Sequence, residues 1–244
     1  MRKIETGEYS ITETEKIMTR GNNRILGGNE IRRLPDDFRH VHREVFALRN
    51  FKDSTQTDTE NYKVDSQSKN LGIVFHKLIE QISSVSLDFS KLNKKSAIIP
   101  LIERISKNMT IDLKIDDTEK LCAALSSMLN DKKGLWILNN KIHANTEQTL
   151  VYISDEPKRI KFSVIDRSFV YEDYRWIIDY KLSAPKDNQS IAIFLEDQIA
   201  RYSHQLDHYA RLYSNIEDRD IRVALYFPLI AKFLEYKYYS TVKD

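Results

Sequence analysis

Residues 164–167, Val-Ile-Asp-Arg, and residues 176–181, Trp-Ile-Ile-Asp-Tyr-Lys, decide the fold of this chain. Both stretches have the β-branched and aromatic composition of strands, yet they carry Asp166, Asp179 and Lys181. Side chains alternate along a strand, so Asp179 and Lys181 point to one face. The wider segment 162–170 is also strand-like, and the short polar run Tyr171-Glu172-Asp173-Tyr174 closes a hairpin. Antiparallel pairing then sets Asp166 beside Asp179. Two carboxylates in contact repel, and one takes a proton unless a divalent cation lies between them. Magnesium suits such a place because it takes hard oxygen ligands, few of them from protein. Lys181 beside it could orient an attacking water or help to deprotonate it. The alternative is an ordinary Asp–Lys pair on the surface of an edge hairpin.

The segments on either side weigh against that alternative. Upstream, Leu71, Val74, Phe75, Leu78, Ile79 and Ile82 recur at helical spacing, with His76 at the edge of the apolar stripe. Downstream, Ile199, Tyr202, Leu206, Tyr209 and Leu212/Tyr213 mark a second amphipathic helix. Gln205 and Tyr209 lie one turn apart on it and can reach a shared ligand.

The order Gly72-x-x-x-His76, Asp166, Asp179-x-Lys181, Gln205-x-x-x-Tyr209 resembles the RecB family of nucleases within the PD-(D/E)XK superfamily. Residues from about 71 to 237 are similar to the C-terminal nuclease domain of UvrD/Rep-type helicase–nucleases of the RecB/AddA kind. Supporting flanks are Gly134-Leu135-Trp136-Ile137-Leu138, Glu147, Arg175-Trp176, Leu225-Tyr226-Phe227-Pro228-Leu229 and, less specifically, Arg33-Leu34-Pro35. The resemblance implies an α/β fold with a restriction-endonuclease-like core, a mixed sheet flanked by helices and a helical subdomain. It implies metal ligation by His76, Asp166, Asp179 and the Tyr180 carbonyl. It makes Lys181 the base or orienter of water, with Gln205 and Tyr209 supporting the site or touching DNA. Glu147 matches an acidic position of the family and would hold a metal-bound water or a neighbouring side chain; a structural salt bridge is the other explanation. Ser163 stands where many relatives have glycine, which leaves the metal chemistry in place.

The activity so implied is Mg2+-dependent hydrolysis of DNA phosphodiester bonds, with Mn2+ as a substitute. It would be the exonuclease part of a helicase–nuclease that processes DNA ends in double-strand-break repair. The implied partners are DNA, single-stranded or with free ends, and a UvrD/Rep-type helicase polypeptide. The competing function is a non-catalytic DNA-binding or docking module of a helicase complex. The phosphate loop G-x-x-x-x-G-K-[S/T] does not occur in the sequence, so the chain carries no P-loop ATPase. It is expected to be a domain of a longer protein, a split-gene product or a free-standing nuclease.

Composition sets the remaining bounds. A chain of 244 residues, 41% hydrophobic, buries a core of one domain size. Apolar runs are too short for a membrane span and the first residues lack a signal-peptide core, so no membrane partner and a cytoplasmic location are expected. Cys122 is the single cysteine; it forms no intramolecular disulfide, and the four-cysteine iron–sulfur cluster of some related nucleases cannot be built. A net charge of +2 says little about nucleic acid. Arg32, Arg33, Arg39, His40, His42, Arg43 and Arg49, interleaved with Phe38 and Phe46, form either a phosphate-tracking wall or a solvated face balanced by Asp36, Asp37 and Glu44.

Along the chain, residues 1–70 are expected to be a polar leader and linker, with a Gly27-Gly28 break and a loop over 51–70, and residues 71–244 the nuclease domain. Helices are expected near 97–107 and 117–130, the second opened by Asp116 with Glu119 in a capping box. Strands are expected near 134–138, 147–154, 160–170 and 175–182, a long helix near 191–214 and a last strand near 221–227. His204 and His208 form an H-x-x-x-H pair without a third zinc ligand.

Overall fold

In the computed structural model, the residues described are 48–51, 66–84, 89–92, 94–139, 141–154 and 159–238. The leader 1–30, the basic stretch 32–47 with Arg33-Leu34-Pro35, and residues 52–65 lie outside them, as does the side chain of Arg49.

The fold is α/β. Strands β2 (Ile142–Ser154), β3 (Arg159–Tyr171), β4 (Tyr174–Tyr180), β5 (Ile221–Phe227) and β6 (Lys232–Tyr236) form a five-strand mixed sheet in sequence order, and the short β1 (Leu48–Phe51) extends it beside β2. Strands β2 to β4 are antiparallel, β5 runs parallel to β4, and β6 is antiparallel to β5. Tyr171 pairs with Tyr174, and Glu172 and Asp173 at φ 50° and 62° make the two-residue turn whose twist suits a hairpin. The parallel β4–β5 pair needs a crossover, supplied by α5 (Ile191–Ser214).

Strands β4 and β5 read as nearly continuous apolar runs because both faces of the sheet are covered. Trp176, Ile178, Tyr180, Ala224 and Tyr226 face the core shared by α1 (Ser66–Ser84), α2 (Lys95–Asn108), α3 (Ile115–Asn130) and α4 (Lys132–Leu138). Ile177, Val223, Leu225 and Phe227 face α5. The stripe expected on α1 is buried throughout, from Leu71 to Ile82, and Cys122 is buried in α3.

Several local expectations are corrected. Residues 134–138 form a helix, α4, and not a strand. The Asp131 side chain accepts the Gly134 N–H at 2.9 Å and so caps α4, while it also receives the Tyr226 hydroxyl at 2.9 Å. A Cβ at Gly134 would stand 2.2 Å from the Met128 carbonyl oxygen, so the sharp turn from α3 into α4 requires glycine. Helix α3 starts at Ile115, and the capping carboxylate is Asp117, which accepts the Lys114 N–H at 3.2 Å; Asp116 and Glu119 do not do this. Helix α1 starts at Ser66, inside the expected loop 51–70, because Gln67 donates to both carboxylate oxygens of Asp117 at 3.0 Å. Strand β2 starts at Ile142, with a register shift beside His143, and β6 follows Phe227 through a 3₁₀ turn and Ala231 at φ 48°.

Candidate metal centre

The site forms where strands β2 and β3 change phase. In an unbroken strand, Ile165, Arg167 and Phe169 would share a face. Instead Ile165 packs under α5, whereas Arg167 reaches the Ile137 carbonyl and Phe169 enters the opposite core. Strand β2 makes the same change: Gln148 contacts Ser168 and Tyr213 on the α5 side, and Thr146 receives Arg167. Between them Glu147 adopts φ 52°, an uncommon conformation for a side chain of its size. The pairs Thr146–Arg167 and Gln148–Ile165 flank it and set Glu147 across from Asp166.

His76, from the middle of α1, meets both carboxylates. Its Nδ1 lies 3.1 Å from Glu147 Oε1 and 3.2 Å from Asp166 Oδ1. Ligand atoms of these three residues all lie within 4.8 Å of one another, the one such group of three or more among the described residues. Asp166 Oδ2 accepts the Tyr180 N–H at 2.7 Å, which orients the carboxylate. The Tyr180 ring is buried edge-on against Phe75, His76 and Tyr226 and fixes the imidazole from behind.

The Arg167–Ile178 pair places Asp179 opposite Asp166, as the hairpin predicts. Asp179 is 2% exposed, and its carboxylate turns to Lys181, with Nζ 2.7 Å from Oδ2. Asp179 is buried and Lys181 half-buried, unlike the partners of a surface ion pair. Lys181 Nζ also donates to Gln205 Oε1 at 3.3 Å and lies 4.1 Å from the centroid of the Tyr202 ring. Gln205 Nε2 donates to the Tyr209 hydroxyl at 2.7 Å. The structure thus gathers His76, Glu147 and Asp166 into one cluster and puts Asp179, Lys181, Gln205 and Tyr209 beside it in a second, linked one. Glu147 as a full member and Tyr202 as a partner of Lys181 were not legible as such in the sequence. His208 turns toward the sheet, with Nε2 2.9 Å from Ser163 Oγ and its ring against Tyr152, and His204 is exposed.

The charges of the two clusters perturb one another. Burial opposes charge on His76, but hydrogen bonds and charge from Asp166 and Glu147 outweigh it and raise the imidazole to about 10. Burial, then the charge of Asp166, raises Asp179 to about 6 against the pull of Lys181 and His76. Burial also opposes charge on Lys181, yet Asp179 and Asp166 hold its ammonium above the ordinary lysine value. In the metal-free protein the imidazolium of His76 therefore supplies the positive charge that the carboxylates need.

A hard divalent ion fits the same place. Octahedral magnesium at about 2.1 Å sets neighbouring ligands about 3 Å apart. The His76 spacings of 3.1 and 3.2 Å match that, and the donor set is oxygen-rich with one imidazole. The ion must displace the His76 proton, so its affinity should rise with pH. A pKa raised from 6.5 to about 10 contributes stability that is complete below pH 6.5 and is lost as pH rises toward 10. In chelator, denaturant unfolding should therefore show stability falling across that window, and His76→Gln should flatten the fall; an unchanged slope would contradict the pairing.

The fold and the site define an α/β protein with a half-buried His–Glu–Asp cluster at a sheet kink and an Asp–Lys pair next to it. Compared with protein-family models and with curated proteins, the sequence finds no match. No helix among the described residues is long and apolar enough to cross a membrane.

Proposed function

We propose that this chain is a Mg2+-dependent deoxyribonuclease, similar to RecB-family PD-(D/E)XK nucleases with a restriction-endonuclease-like core. In this view it is the exonuclease part of a helicase–nuclease that processes DNA ends. The observation that carries the reading is the meeting of His76, Glu147 and Asp166, from three separate elements, beside the ion pair of Lys181 with the buried Asp179. The sequence order of the matching residues supports it as well, as does the succession of helix, three antiparallel strands, crossover helix and parallel strand.

His76, Glu147 and Asp166 hold the metal, with Asp179 adjacent. A hard cation there acidifies water and neutralises charge that builds on a phosphoryl group. Lys181 stays protonated at neutral pH because Asp179 and Asp166 raise its pKa. It acts as a fixed donor that orients a water or phosphate oxygen, rather than as a base. Asp179, Gln205 and the Tyr202 ring hold that ammonium in place.

The test is incubation of the purified chain with end-labelled single-stranded DNA, with Mg2+ or Mn2+ or with chelator. Cleavage that requires the metal is the expected result. Binding of DNA with no cleavage under any metal would overturn the nuclease reading in favour of a docking module.

A further inference from the structure

We infer that the cavity between the 183–189 loop and the first turns of α5 seats one nucleotide of the substrate strand next to the scissile bond. The inference rests on the nuclease reading and adds to it where the substrate lies. Along α5, Gln198, Tyr202, Gln205 and Tyr209 fall at intervals of four, three and four residues and so form one stripe. The chain leaving β4 runs along this stripe in the opposite sense: Lys181 meets Gln205 and Tyr202, and Ser183 Oγ donates to Gln198 Oε1 at 3.2 Å. The cavity opens where the stripe continues beyond Tyr202, and Ser183 and Gln198 form part of its wall. Two residues of chain span at most about 7 Å, so this wall begins within one extended nucleotide unit of Lys181.

The size and lining suit that occupant. The volume is about 610 Å³, within the roughly 300–1,000 Å³ of small-molecule sites and more than an isolated phosphate needs. Phe194, buried against Phe227 at 5.2 Å, supplies an apolar wall for a base or sugar. Lys186 and Arg201 bring positive charge to the rim. The one acidic residue of the lining, Asp197, accepts a 3.0 Å hydrogen bond from Gln189. Gln198 is 5% exposed, and with its oxygen engaged by Ser183 its amide N–H groups remain to meet an acceptor on a base.

The probe is thymidine 5′-monophosphate, titrated in chelator and followed by amide chemical shifts, with inorganic phosphate in a parallel series. Ala184→Trp and Ala200→Trp fill the cavity from two exposed positions away from the metal cluster. Wild type should show shifts confined to residues around Ser183 and Gln198, and each variant should weaken binding by about tenfold or more, with Mn2+ binding retained. On single-stranded DNA both variants should raise KM by a similar factor. Nucleotide binding unchanged in both variants, or phosphate binding as tightly as the nucleotide, would overturn the inference. A wild type that binds the nucleotide here but cuts no DNA would refute the nuclease reading, and with it the placement beside a scissile bond, and leave only a nucleotide-binding cavity. One that cuts DNA but never perturbs these residues would do the reverse.

Discussion

Lys181→Ala should lower metal-dependent cleavage of single-stranded DNA by about 10²–10³-fold, the usual cost of removing one pre-organised donor from a reacting centre. The side chain is held by a carboxylate at 2.7 Å, an amide oxygen at 3.3 Å and an aromatic face at 4.1 Å, so its ammonium cannot be replaced by a mobile water without losing position. Its loss also strips the buried Asp179 of its counter-charge, and the Asp179 carboxyl, already raised by burial and Asp166, should rise further. The effect should fall on kcat, since the cluster of His76, Glu147 and Asp166 is untouched and Mn2+ should still bind. Single-turnover cleavage on a folded variant measures it. A rate within a few-fold of wild type would show that Lys181 merely fills space.

Arg167→Ala should cost the fold about 2–4 kcal/mol, since hydrogen bonds to a charged group contribute about 1.5–3 kcal/mol each and removal of the guanidinium also relieves its burial. Arg167 is 3% exposed, and among the described residues its hydrogen bonds go to neutral oxygens. Its guanidinium donates to the carbonyls of Ile137 and Asn139 at 3.2 and 3.3 Å and to Thr146 Oγ1 at 2.8 Å. These carbonyls close the C-terminal end of α4, where helical partners run out. Burial lowers the Arg167 pKa, which marks the desolvation that the three acceptors offset. Alanine would leave the buried Ile137 carbonyl without its partner, and would open a cavity beside Phe169. The midpoint of urea unfolding measures the loss, and Arg167→Met, which keeps the volume, separates packing from hydrogen bonding. A loss below about 1 kcal/mol for Arg167→Ala would mean that α4 is held by other contacts.

Arg167 also helps to set the cluster of His76, Glu147 and Asp166. It pulls Thr146 and the end of α4 to one face just after Asp166, while Ile165 stays on the other. The phase change at Glu147 and Asp166 is thus anchored on both sides, and the two carboxylates stand where neither core claims them. This explains what was readable in the sequence. The β3–β4 hairpin was legible because its turn is two polar residues between long apolar runs, and because period-2 alternation puts Asp179 and Lys181 on one side. Helix α5 was legible because its apolar face recurs through Ile199, Tyr202, Leu206, Tyr209 and Leu212/Tyr213; the Ser190 cap at its start is added by the structure.

The rest depended on tertiary contacts. Leu135 to Leu138 is too short an apolar run for periodicity to tell helix from strand; Asp131 and the close approach at Gly134 make it a helix. The first turn of α1 is polar in sequence and becomes ordered through Gln67 and Asp117, residues 50 apart. Glu147 carries no local signal, since its role comes from a left-handed backbone conformation and from two neighbours, His76 and Asp166, on other elements.

The central claim is that His76, Glu147 and Asp166 hold one hard divalent cation, and a crystal soaked in Mn2+ tests it through the manganese anomalous signal. A single strong peak within bonding distance of His76 Nδ1 and of carboxylate oxygens from Glu147 and Asp166 is the result expected. A map with no peak among these three side chains, from crystals in which they keep the geometry described, would contradict it.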